Sequence, residues 1–114
     1  MSQPLVAHVI QGARDLIADP HRWTQHQLAT TSNGKKCEPW DAKAARFCAY
    51  GALLKSAYVV SGDLELADRL ANSAVAALLN GKAGTELCGR LFHVNDVDGH
   101  KAVLDLFDKA LAAQ

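Results

Sequence analysis

The chain has 114 residues, and its twelve Lys and Arg balance its twelve Asp and Glu for a formal net charge of zero. That balance speaks against a dedicated nucleic-acid binder, which carries a basic stripe, and against a polybasic membrane-surface protein. No apolar run reaches the roughly 20 residues that a membrane-spanning helix needs, and three widely spaced cysteines, Cys37, Cys48 and Cys88, form no disulfide framework.

The length predicts a single domain over 1–114, burying about 65% of its unfolded surface. His8, Gln11 and Arg14 interrupt the first apolar stretch, unlike a secretory leader. The expected setting is therefore a reducing cytoplasm, with all thiols free.

Leu5, Val6, Val9, Ile10, Ala13, Leu16 and Ile17 trace one stripe at helical spacing, so a first helix is expected over 4–18. Asp19-Pro20 ends it, because the residue before a proline is driven out of helical geometry. The segment 19–40 reads as irregular. Within it Asn33-Gly34 is a strong hairpin signal, since both residues tolerate positive φ, and a small β-hairpin is expected across residues 28–38. Trp23 and Trp40 bracket this segment and are expected to fasten it to the helices, with Trp23 buried.

A central helix follows, read from Asp41 as its N-cap to Ser61-Gly62. Ala44, Phe47, Cys48, Gly51, Leu54, Ala57 and Tyr58 form its stripe. A mid-helix glycine costs about 1 kcal/mol against alanine, so Gly51 signals another backbone in close approach. Asp63 opens a third helix that Asn80-Gly81 closes. A short helix over 85–92 is expected, capped by Thr85, and a last one runs from about Asp98 to Ala113. The fold class is thus mainly α: a compact bundle of four main helices plus a short fifth, with the irregular segment across one end.

Between the last two helices lies Asn95-Asp96-Val97-Asp98-Gly99. It imitates part of a calcium loop, but the first ligand position would be Val94 and the twelfth Asp105 in place of a bidentate Glu. The missing oxygens favour a turn that caps the helix after it. His93 and His100 flank the turn without ligand-pair spacing, so no metal is assigned. No Gly-rich phosphate loop, serine elbow or His-Glu-x-x-His helix is present, and no cofactor is implied. Cys48 falls on the apolar stripe, where burial makes a thiol inert; Cys37, beside Lys35 and Lys36, reads as the exposed thiol.

The functional reading is a non-enzymatic interaction or self-associating domain, with a protein partner or a second copy as its ligand. Arg22, Trp23, Trp40, His93, Asn95 and Asp96 are the candidate binding residues, because Trp and Arg are enriched at binding hot spots. No catalytic residue is assigned. The alternative is a small enzyme or ligand binder using a cleft of Cys48, His93, Asn95 and Asp96.

Arg22-Trp23-Thr24-Gln25, Asn33-Gly34, Arg46-Phe47-Cys48-Ala49-Tyr50-Gly51-Ala52-Leu53, Asn95-Asp96 and the stretch Val103-Leu104-Asp105-Leu106-Phe107-Asp108-Lys109-Ala110 occur in that order. From Asp19 onward this resembles a small bacterial and phage family of unknown function. Its most specific signature is Phe-Cys-Ala-x-Gly-Ala-Leu followed by Asn-Asp. Members often carry an aromatic residue where this chain has His93. The resemblance implies a compact, mostly helical domain and supplies no activity. It also implies that Cys48, Gly51, Asn95 and Asp96 form one spatial unit.

Overall fold

The computed structural model describes residues 3–81 and 84–113. The chain folds mainly as helices: α1 (Gln3–Ile17), α2 (Ala49–Ser61), α3 (Leu64–Leu79), α4 (Thr85–His93) and α5 (His100–Ala112). A 3-10 turn, Pro20–Arg22, follows α1, and a π-helical turn, Val94–Asp98, joins α4 to α5. Three short strands, β1 (Ala29–Thr30), β2 (Lys36–Cys37) and β3 (Arg46–Phe47), form an antiparallel sheet in the order β2-β1-β3. Among the described residues no helix is long and apolar enough to cross a membrane.

The stripe of α1 buries Val6, Val9, Ile10, Ala13 and Ile17. It packs on α2, which in turn packs on α3. Small residues make the approach close. Gly12 faces Ser56, whose hydroxyl donates to the Val9 carbonyl at 2.8 Å. Helix α5 closes the core with Val103, Phe107 and Ala110. Arg14 and Asp108 pair at 2.7 Å across α1 and α5, but at that exposure an ion pair contributes at most about 1 kcal/mol. Asp63 caps α3 as expected, its carboxylate accepting from Glu65 and Leu66 N–H groups, while Gly62 takes the left-handed conformation just after α2.

The expected hairpin is present: Ala29 pairs with Cys37 and Thr30 with Lys36. The third strand is a correction. Helix α2 begins at Ala49, not after Asp41, and Arg46–Phe47 pairs with β1 instead, Phe47 opposite Ala29 and Arg46 opposite Thr30. The apolar spacing of Phe47 with later residues mimics a helix, yet Phe47 is buried as the core-facing residue of a strand. Asp41 accepts instead from the Lys43 N–H at 2.9 Å in a local turn. Two smaller corrections concern α4 and α5. Thr85 is the first residue of α4 rather than its cap, and Asn95 to Asp98 do not cap α5, which starts after Gly99 without a side-chain cap.

Gly51 behaves as its position implied. A β-carbon there would overlap the Leu28 carbonyl oxygen, which also accepts the Cys48 N–H at 3.2 Å. The irregular segment, not a neighbouring helix, is the backbone that comes close. Substituting G51A should therefore cost about 3 kcal/mol despite alanine's higher helix propensity. G12A meets only the Ser56 side chain, whose hydroxyl can turn away, and its gain in propensity offsets a hydrogen bond worth about 1 kcal/mol. Urea denaturation of both variants should show a large loss for the first and a near-neutral second.

Candidate functional site

Asn95 sits on the π-helical turn, fully buried, and spends its whole amide on two other segments and on its own neighbour Asp96. Its Oδ1 accepts from the Ala49 N–H at 2.9 Å and from the Trp23 indole N–H at 2.7 Å. Its Nδ2 donates to the Thr24 carbonyl at 3.0 Å and to Asp96 Oδ1 at 2.9 Å. Two donors and two acceptor sites are what an asparagine amide offers. Asn95 thus caps α2 from a distance of 46 residues, satisfying an N–H that a helix N-terminus leaves orphaned.

The neighbouring contacts extend this brace. Gln25 Nε2 donates to the Asn95 and Asp96 carbonyls at 3.3 and 3.2 Å. The His26 N–H donates to Asp96 Oδ1 at 3.0 Å, and its ring Nδ1 lies 3.5 Å from Oδ2. His26 has φ +69°, a left-handed conformation that costs about 1 kcal/mol or more outside glycine. The bond to Asp96 holds it there. Burial raises the Asp96 pKa, but the Asn95 amide, the His26 N–H and the His26 ring together outweigh burial and leave it below the ordinary carboxylate value. On the far side Trp23 tilts against the His100 ring, and His100 Nε2 meets the Ile17 carbonyl at 2.6 Å.

An open cleft of about 340 Å³ lies between the sheet and the π turn, lined by His26, Gln27, Leu28, Lys36, Cys48, Phe92 and Asp96. Cys48 is the N-cap of α2, its sulfur accepting from the Gly51 N–H at 3.3 Å. Burial pushes the Cys48 thiol up to about 11, against the opposing pull of the Gly51 and Tyr50 N–H groups. It is a protonated structural thiol at neutral pH. Cys37 corrects the sequence reading: it takes the core face of the sheet, half-buried, and desolvation followed by Asp41 and Glu38 raises its pKa. Burial raises Cys88 as well, with Asp68 adding to it.

Of the six candidate binding residues, the structure brings Trp23, Asn95 and Asp96 together. Trp23 is half-buried rather than buried. Arg22, Trp40 and His93 are exposed and do not line the cleft, Trp40 at 36%. Of the four residues in the alternative reading, Cys48 and Asp96 line this cleft, while His93 and Asn95 do not; the histidine that lines it is His26. Among the described residues no three His, Cys, Asp or Glu side chains converge to hold a metal. Nothing in the sequence around His26, a histidine in a polar loop, announces its left-handed backbone. Leu28 and Phe92 were equally silent.

The profile of a family described as a family of unknown function, DUF6197, matches residues 1–113. The chain belongs to that family. No curated protein and no solved structure matches the chain. In this DUF6197 chain the Cys48–Gly51 stretch and the Asn95–Asp96 pair do meet, through the bond from Ala49 to Asn95.

Replacing the brace tests its weight. N95A strands the Ala49 N–H, the Trp23 indole and the Thr24 carbonyl, each costing about 1–3 kcal/mol when left buried and unpaired. A total loss of roughly 3–5 kcal/mol is expected in chemical denaturation, with a red shift of Trp23 fluorescence before global unfolding. A loss under about 1 kcal/mol would show that water replaces the amide.

Proposed function

We propose that this chain is a non-enzymatic interaction domain that receives a protein partner, or a second copy of itself, in the cleft between the sheet and the π turn. One observation carries the reading: three polar groups in and behind the cleft, Asn95, Asp96 and Cys48, are committed to building its walls. The Asn95 amide is fully used, Asp96 is engaged by Asn95 and His26, and the Cys48 thiol is neutral and turned to its own helix. A nucleophile needs a thiolate, and a general base needs free lone pairs. What remains at the surface is Leu28, Phe92, the His26 ring and Lys36, a mixed apolar and polar lining suited to recognition.

The proposed setting is the cytoplasm, supported by Cys37, Cys48 and Cys88 standing as free thiols. Nucleic acid and membrane are not the proposed partners, since the net charge of zero supplies no basic stripe.

Neutral aromatic fragments probe the cleft directly. Amide NMR shifts should concentrate at Leu28, Lys36, Cys48 and Phe92, and shifts spread elsewhere or absent altogether would sink this reading. Thiol alkylation decides between binding and catalysis. Resolved peptide by peptide with iodoacetamide, Cys48 should reach half its maximal rate near pH 11, with roughly one thiolate per thousand molecules at pH 8. Half-maximal reaction near neutral pH would identify an activated nucleophile instead.

A further inference from the structure

The register of the sheet sets three side chains in one row. Lys36, Thr30 and Arg46 are directly paired across β2, β1 and β3. Directly opposed residues point to the same face. The next row, Cys37, Ala29 and Phe47, turns to the core, with Ala29 and Phe47 fully buried and Cys37 half-buried. Lys36, Thr30 and Arg46 therefore share the outer face, the face from which Leu28 and Lys36 line the cleft.

That row is unusual in two respects. Thr30 is only 5% exposed, yet its hydroxyl has no hydrogen-bond partner, the one such buried side-chain atom among the described residues. Buried hydroxyls are normally paired, and leaving one unpaired costs about 1–3 kcal/mol. On either side of it stand two exposed cations, and neither Lys36 nor Arg46 is in an ion pair among the described residues. The carboxylate that shares the cleft with Lys36, Asp96, is held by Asn95 and His26, while Glu38 and Asp41 act on Cys37, which takes the opposite face. The row offers an ammonium, a hydroxyl and a guanidinium, and no carboxylate. Opposed β-carbons lie about 5 Å apart, so the two cations start about 10 Å apart, a gap their long side chains can close over one small group.

We propose that the Lys36–Thr30–Arg46 row binds an oxyanion, the acidic group of whatever occupies the adjacent cleft. The group enters between the two cations, pairs with both, and gives the Thr30 hydroxyl the acceptor it lacks. Carboxylate and phosphate share this chemistry: delocalised negative oxygens that accept from a guanidinium fork, an ammonium and a hydroxyl at once. The proposal rests on the reading of the cleft as a binding site and adds the charge and class of the ligand's recognised group.

The test uses the full chain at constant ionic strength, with sodium phosphate and sodium acetate as separate probes and sodium chloride making up the balance. At least one of the two ions should raise the melting temperature saturably, since a ligand of the folded state alone must stabilise it. A response to phosphate alone identifies a tetrahedral group, and a response to acetate identifies a carboxylate; both support the site. K36Q and R46Q should each weaken the apparent affinity about tenfold, the factor expected for one charge-assisted hydrogen bond. T30V should melt no lower than the parent without ligand, because no bond is lost, yet it should bind the ion more weakly. No saturable shift with either ion, an unchanged shift in the K36Q/R46Q double variant, or a T30V chain less stable without ligand would each overturn the proposal. Neutral fragments that still move Leu28 and Phe92 in that event would leave the cleft reading standing and this inference alone refuted.

Discussion

The buried amide of Asn95 joins three parts of the chain at one point: the loop at 23–26, the first turn of α2, and the π turn before α5. The side chain is completely enclosed, so each of its polar atoms had to find a partner on folding or pay the desolvation cost. All four found one. Aspartate would lose the two donors and set a second carboxylate against Asp96, while leucine would leave an N–H, an indole and a carbonyl unpaired. Few residue types fit this geometry, which makes it a point of specification for the fold as much as a source of stability.

The π-helical turn makes that geometry reachable. It runs on directly from α4 without a break and ends at Gly99, whose φ of +100° lets the chain leave for α5. Residue insertion of this kind re-aims side chains and is frequent where a helix serves a function beyond packing. Here it turns Asn95 inward and brings Asp96 to the rim, where the carboxylate holds His26 in a left-handed conformation. The cleft wall is thus set by a hydrogen-bonded chain from α2 through Asn95 and Asp96 to His26. Cys48 completes the frame from the other side, capping α2 with its sulfur beside the Asn95 cap on Ala49.

How much of this could be read from the sequence depends on the range of the interaction. Stripes at helical spacing located α1 and α3 because burial on one face repeats within a few residues, and Asn33-Gly34 located the hairpin because the turn is a local backbone demand. Gly51 announced a close backbone approach, though not that Leu28 supplied it. The start of α2 was misread because Phe47 and Cys48 continue the helical spacing by coincidence; only the pairing with Ala29, 18 residues earlier, makes them a strand and a cap. Asn95 and Asp96 were read as a cap of the next helix, since polar residues before a helix usually serve that role. Asn95 instead serves a helix 46 residues back and Asp96 holds the loop at His26, and no local pattern encodes those distances.

The same separation of local from long-range effects bears on function. A protein of zero net charge exerts little long-range pull on an anion, so any preference for one must come from placement within a few ångströms. Cross-strand register supplies such placement without a dedicated loop: two-residue strands are enough to fix which side chains share a row. In this sheet the core row is apolar and spent on packing, while the outer row is cationic and surrounds a hydroxyl without a partner. Rigid neighbours keep it so. The Asn95 brace immobilises the loop leading into β1, and the Leu28 carbonyl seated on Gly51 fixes β1 against α2. A stiff sheet loses little freedom when a ligand binds, so even a few charge-assisted bonds on its outer face can yield net affinity. On the proposed reading, Asn95, Asp96 and Cys48 are consumed in making this frame rigid, and Lys36 and Arg46 are the charged groups left to meet a ligand.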